Sequence, residues 1–333
     1  MSSPSLLVVL TPTETENFFS PPLLAELRAL APDFRQLDPT GLSAADFARE
    51  LTAADPAILL ACWKTPALPA SLPPRLQYVC YLAGSVKTFV SRTHLEHGLL
   101  LTNWGHSVSR VVAECALLHT LTCLRQATRW TFAMHQHGAW KNGPTRAVSL
   151  FGRRIGIHGF GPVAREFIRL VHPFGCPVTV FAPDVDDAAE RTYGIRRAPS
   201  LADLFAHSDV LVELAPLIPA TTGIVDEKLL RLLPPGAVFI NVGRGAIVDE
   251  TALITVAREG NLQFGLDVFA TEPLSPNHPL RGLTNVFLTP HFAGPTLDRY
   301  PDATTHALRN LRSFLSGQPL ESSVTPEIYD RST

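Results

Sequence analysis

Three residues combine a reactive type with a telling position: Arg244 in "FINVGRG", Glu272 in "GLDVFATEP" and His291 in "VFLTPH". Each follows a short apolar run of the kind that forms a buried strand. Each is therefore expected at or just past the carboxyl end of a parallel strand, the edge where open α/β sheets bind ligands. A guanidinium can hold a carboxylate through two parallel hydrogen bonds and polarise an adjacent carbonyl. A histidine beside a carboxylate can carry a proton near neutral pH and pass it to a developing alkoxide. Singly, the three have ordinary explanations: a surface ion pair, a loop charge and a hydrogen-bonded core histidine. Together they suit reduction of a carbonyl next to a carboxylate, which also requires a hydride source.

The stretch "GIHGFGPVA" contains Gly159-x-Gly161-x-x-Ala164 between an apolar strand and the helical run "PVAREFIRLV". In that setting Gly159 makes the tight turn, Gly161 admits a pyrophosphate close to the backbone, and Ala164 lets helix and strand pack closely. The helix N-terminus offers unpaired N–H groups to phosphates, and Pro162 gives up only a donor that would have no intrahelical partner. The alternative is a plain strand-to-helix turn. A nicotinamide dinucleotide bound here would supply the hydride. The following strand ends "VFAPDVDD". Ala182 stands where an acid would bond the ribose hydroxyls, but Asp184, Asp186 and Asp187 would repel a 2′-phosphate. NAD is expected over NADP.

The elements that must position these residues form two α/β series. Strands are expected at 5–10, 56–62, 76–82 and 98–102, with a helix at 21–30. A long helix is expected from Ser107 to about Gln136, and an irregular arm over 137–152. A second series of strands follows near 154–160, 177–182, 209–216, 237–243, 262–270 and 285–290, and a helix near 297–316. This alternation predicts parallel sheets covered on both faces. The chain has 333 residues, 46% apolar and 17% charged, with a net charge of −2. That size favours two domains, and the near-neutral charge argues against nucleic acid and anionic membranes. No apolar run is long enough for a membrane span, and the N-terminus reads as a first strand rather than a signal peptide. Five cysteines without a CxxC pair read as buried free thiols in a reducing cytoplasm, and no His/Cys spacing suggests a metal site.

Several segments in register resemble the D-isomer-specific 2-hydroxyacid dehydrogenase family: "TNWGHSVSRVVAE" (102–114), "DVLVELAPLIPATTGIV" (209–225), "VGRGAIVDETAL" (242–253) with Asn241 before it, "GLDVFATEPL" (265–274) and "TPHFAGPT" (289–296). The resemblance covers nearly the whole chain. It implies two Rossmann-like or flavodoxin-like domains, with a dinucleotide-binding domain (107–292) inserted into a discontinuous substrate domain (1–106 and 293–333), and a site in the cleft between them. It implies that Arg244 binds the substrate carboxylate and carbonyl, that His291 is the acid/base, and that Glu272 orients it. It places backbone amides of Ala83, Gly84 and Ser85 on the carboxylate, with Trp63 and Lys64 shaping the pocket. It assigns cofactor contacts to Ser109, Gly159, Gly161, Pro162, Val163, Pro183, Asp184, Ala215, Pro216, Val242, Asp267 and Gly294, with Asp267 near the nicotinamide carboxamide. It implies a homodimer joined through the long helix and the arm, which includes Trp140.

Two positions depart from the family pattern. Leu214 stands where a histidine is frequent. "ACWKTP" (61–66) lacks the arginine-rich character of members that oxidise phosphoglycerate, which argues against a phosphorylated substrate. The expected activity is interconversion of a D-2-hydroxy acid and its 2-keto acid. The rival readings are an NAD(H)-binding co-repressor of the same fold and a dehydrogenase of a different substrate, such as phosphite. The co-repressor reading lacks support from a long disordered tail.

Overall fold

The computed structural model describes residues 5–143 and 145–332. They form two compact units. One runs up to Val108 and resumes at Pro295; the other is Ser109–Gly294.

The first unit holds five strands, β1 (Leu6–Val9), β2 (Arg35–Leu37), β3 (Ile58–Ala61), β4 (Tyr78–Tyr81) and β5 (Leu100–Thr102). Their order is β2-β1-β3-β4-β5 and every pairing is parallel. β1, β3 and β4 are buried at every position, as strands covered on both faces must be. Helix Tyr300–Leu315 packs in this unit against β4 and against helices Pro12–Phe18 and Pro21–Leu30.

The second unit holds β6 (Ile155–His158), β7 (Val178–Phe181), β8 (Arg196–Arg197), β9 (Val210–Glu213), β10 (Val238–Asn241), β11 (Gln263–Leu266) and β12 (Val286–Leu288). The order β12-β11-β10-β9-β6-β7-β8 is again wholly parallel. The chain steps outward from β6 to β7 and β8, then returns to the other side of β6 with β9. The switch point therefore lies between β6 and β9, where such sheets open a crevice for ligands. Six strands stop in register on one row: Phe181, His158, Glu213, Asn241, Leu266 and Leu288.

Three features differ from the sequence-based expectation. The helix expected over 107–136 is two helices, Ser109–Leu124 and Ala127–His137. The carbonyl of Leu124 accepts the N–H of Val148 from the arm, and Gln126 takes a left-handed conformation at φ +52°. The intrahelical ladder is diverted there. β2 and β8 carry no apolar signal, because they are short edge strands with exposed arginines, the composition that protects sheet edges. Several short helices, among them Ala44–Ala54 and Glu250–Arg258, were also not anticipated. All five cysteines are buried and unpaired, and among the described residues no helix is long and apolar enough to cross a membrane.

Candidate active site

Arg244, Glu272 and His291 all lie beyond the terminal row of the second sheet, and neighbouring backbone fixes each of them. β10 ends at Asn241, whose buried side chain shapes the next turn. Its Oδ1 accepts the Gly243 N–H and its Nδ2 donates to the Arg244 carbonyl, both at 3.0 Å. The guanidinium Nη1 donates to the Gly243 carbonyl at 2.7 Å. Gly245 must lack a side chain, because a Cβ there would lie 2.0 Å from the carbonyl carbon of Phe269. The loop bearing Arg244 is thereby pressed onto the loop that leads to Glu272. Burial pulls the Arg244 pKa below its ordinary value and the charge of Glu272 pulls it back up, so carboxylate and guanidinium feel one another.

Glu272 is held at both oxygens. Oε1 accepts the Phe269 N–H at 2.9 Å, and Oε2 lies 2.6 Å from Nδ1 of His291. Nδ1–H therefore donates to the carboxylate, and Nε2 is left as the nitrogen that can exchange a proton with a ligand. The imidazole is 47% exposed, so a ligand can reach it. His291 stands at φ +53°, a conformation sparsely populated by residues with side chains. Its N–H is bonded to the Asp267 carbonyl at 2.9 Å, which holds the turn.

Asp267 is fully buried and organises the loop after β12. Its Oδ1 accepts from Thr289 Oγ1 at 2.5 Å and Phe292 N–H at 3.0 Å, and its Oδ2 accepts from Ala293 N–H at 2.9 Å. Since Thr289 donates its hydroxyl hydrogen to Asp267, it accepts from Nε2 of His119 at 3.0 Å. Burial lowers the His119 pKa to about 4, so this histidine is neutral. No sequence motif pointed to it. Cys115, His119 and Asp267 also bring ligand-type atoms within 4.8 Å of one another. Both Asp267 oxygens and the His119 Nε2 are engaged in hydrogen bonds that support the loop, while the buried His119 Nδ1 has no partner among the described residues.

The glycine turn sits at the switch point. Gly159 has φ +98°, and a Cβ on it would lie 2.6 Å from the Leu214 carbonyl oxygen. Only glycine passes so close to the end of β9 in that conformation. Gly161 is the N-cap of helix Pro162–Val171, with open space where a Cβ would be and no side chain capping the first turn. Ala164 is fully buried in the core of the unit. An uncapped helix N-terminus beneath an open glycine backbone fits the pyrophosphate of a dinucleotide. Of the other expected cofactor residues, Val163 and Pro216 are half-buried beside this turn, and Ala215 and Val242 are buried at strand ends. Pro183 and Asp184 are exposed after β7, Ser109 is buried at the start of its helix, and Gly294 is half-buried at the end of the unit.

One further pair was not anticipated. His158 and Glu213, aligned on β6 and β9, are bonded at 2.7 Å between His158 Nδ1 and Glu213 Oε2. Glu213 Oε1 accepts the Ala215 N–H at 2.9 Å, so the pair braces the floor of the crevice.

Comparison with known proteins agrees with this geometry. Residues 117–293 match the model of the D-isomer specific 2-hydroxyacid dehydrogenase NAD binding domain. The chain belongs to the D-isomer specific 2-hydroxyacid dehydrogenase family. Within that family it is 34% identical over 231 residues to a hydroxyphenylpyruvate reductase of Plectranthus scutellarioides, covering 69% of this chain and 72% of that one. It is 32% identical over 228 residues to a D-3-phosphoglycerate dehydrogenase of Mycobacterium leprae, covering 68% of this chain and only 43% of the longer relative. Among solved structures, it matches an NADPH-dependent glyoxylate/hydroxypyruvate reductase from Sinorhizobium meliloti with a TM-score of 0.73 at 25% identity, over 99% of each chain. As a member of the 2-hydroxyacid dehydrogenases, the chain is an NAD(P)-dependent oxidoreductase.

The expected substrate-side residues lie in the first unit, at the carboxyl edge of its own sheet. Trp63 and Lys64 follow β3, and Ala83–Ser85 follow β4. Lys64 is exposed, Ala83 is buried, and Gly84 and Ser85 are half-buried.

Proposed function

We propose that this chain interconverts a D-2-hydroxy acid and its 2-keto acid, with the first unit as substrate domain and the second as dinucleotide-binding domain. The observation that carries the reading is the His291–Glu272 pair at 2.6 Å beside a half-buried, positively charged Arg244. Arg244 binds the carboxylate of the acid and polarises its carbonyl. Its partial burial strengthens both interactions, because less solvent screens them than at the surface. His291 delivers a proton from Nε2 to the oxygen of the 2-keto acid, or takes it back in the oxidising direction. Glu272 holds the ring in the tautomer that leaves Nε2 for this transfer, and it stabilises the imidazolium. The nicotinamide, when bound, supplies or accepts the hydride. Gly159, Gly161 and the start of helix Pro162–Val171 hold its pyrophosphate.

For the cofactor, NAD is the favoured reading. Asp184, Asp186 and Asp187 follow β7, and the nearby Arg197 is engaged by Asp187 at 3.2 Å and by the Val185 carbonyl at 3.0 Å. The segment 182–187 itself carries three acids and no cation to hold a 2′-phosphate. A homodimer in a reducing, cytoplasmic setting completes the proposal, in keeping with five buried free thiols.

The deciding experiment mixes the purified protein with NADH, and separately NADPH, and a panel of 2-keto acids, and follows the loss of nicotinamide absorbance. Turnover with NADH is the expected result. Tight NADH binding without turnover of any acid would overturn the reading. Ala182→Asp should tighten NADH and weaken NADPH.

A further inference from the structure

The carboxyl edge of the first sheet carries an aromatic group that packing of the core does not require. Trp63 is 46% exposed, so part of its ring is open to contact by a ligand. Its ring is edge-on to Trp104 at 5.8 Å and 80°, and edge-on to Tyr300 at 6.2 Å and 83°. Phe18 lies 5.6 Å behind it. The turn under Trp63 is tightly fixed. The Lys64 N–H donates to the buried Glu14 Oε1 at 3.1 Å. The Cys62 N–H donates to Thr65 Oγ1 at 3.0 Å, and Thr65 Oγ1 donates to the Val9 carbonyl at 2.9 Å. The ring is presented on a pinned backbone.

The same edge holds a loop suited to an anion. Trp104 packs closely against Gly84, where a Cβ would come within 2.6 Å of its ring. The Ala83 carbonyl accepts the Trp104 N–H at 3.2 Å, and the Gly84 carbonyl accepts Asn103 Nδ2 at 2.7 Å. The carbonyls are thus tied back, while the N–H groups of Gly84 and Ser85 donate to no acceptor among the described residues. Free amides of this kind bind carboxylates, and the aromatic rings begin beside them.

We infer that the acid this protein uses carries an aromatic group, its ring received by Trp63, Trp104 and Tyr300 beside the amides to which the family resemblance already assigns the carboxylate. The inference rests on the reaction proposed above. Aromatic rings prefer edge-to-face partners with centroids about 4.5–7 Å apart, and Trp63 already shows that geometry to two neighbours. A small acid such as glyoxylate would leave the rings uncovered.

The test compares phenylpyruvate, pyruvate and glyoxylate as NADH-dependent substrates of the full chain and of Trp63→Ala and Trp63→Phe. Trp63 is half-exposed, so both variants should fold, which circular dichroism and thermal melting check. The parent should favour phenylpyruvate over pyruvate in kcat/KM by about tenfold or more, the yield of one or two aromatic pairs. Trp63→Ala should lose about tenfold on phenylpyruvate, mainly through KM, so that its phenylpyruvate-to-glyoxylate ratio of kcat/KM falls below the parent's; Trp63→Phe should recover most of the loss. Turnover of all three acids with no preference for the aromatic one, or a Trp63→Ala variant that gains on phenylpyruvate, would overturn this inference alone. Absence of turnover with every acid would overturn it together with the proposed reaction.

Discussion

His158 and Glu213 face each other at 2.7 Å from the last residues of adjacent strands, beneath the glycine turn and almost wholly out of solvent. Replacing one member leaves the other buried without its partner, which typically costs about 3–5 kcal/mol. Glu213→Leu should lose about that much in urea unfolding, and it also removes the acceptor of the Ala215 N–H. The double change His158→Ile with Glu213→Leu should recover most of the loss, because an apolar pair of similar volume is often neutral. A single variant within about 1 kcal/mol of the parent would show that the pair braces nothing.

His291→Ala should lower kcat by about 10²–10⁴-fold, the usual contribution of a general acid. NADH affinity, read by fluorescence titration, should stay near the parent value, because proton transfer and cofactor binding are separable. Undiminished kcat would remove His291 from the mechanism. Glu272→Gln should fall in the same direction, since it loses the charge that faces Nδ1 at 2.6 Å.

Arg244→Lys keeps a positive charge and loses the planar fork. The expected result is a loss of about 10- to 100-fold in kcat/KM, the worth of one or two charged hydrogen bonds. If lysine serves as well as arginine in steady-state kinetics, bidentate capture of the carboxylate is not what the residue does.

His119 makes acid stability testable. Burial lowers its pKa from an ordinary 6.5 to about 4. The unfolded chain therefore takes up the proton first as the pH falls. The contribution is complete above about pH 6.5 and is lost progressively toward pH 4, to a total of about 3 kcal/mol. Unfolding free energies measured across that window should fall less steeply for His119→Gln than for the parent. Parallel slopes would assign the acid sensitivity to other groups.

The two parallel sheets are legible in the sequence because their central strands are continuous apolar runs. "AVFINVG" and "DVLVELAP" can hardly be anything else once glycines and prolines bound them. β2 and β8 are not legible, because an exposed edge strand such as Arg196–Arg197 gains its structure only from its neighbour. The break at Gln126 is hidden for a related reason: it depends on Val148, twenty-two residues later, capturing the Leu124 carbonyl.

Residue type and local order alone single out Arg244, Glu272, His291 and the glycine turn, because the chemistry of a carbonyl, a proton and a pyrophosphate demands those side chains at strand ends. Only the tertiary structure decides what holds them. Gly245 against Phe269, Asp267 gathering Thr289, Phe292 and Ala293, and the neutral His119 behind Thr289 are contacts between segments up to 170 residues apart. Such contacts leave no local periodicity to read. They exist because the parallel strands end on one row and bring their loops together, and a buried polar group there must find its partner among those loops.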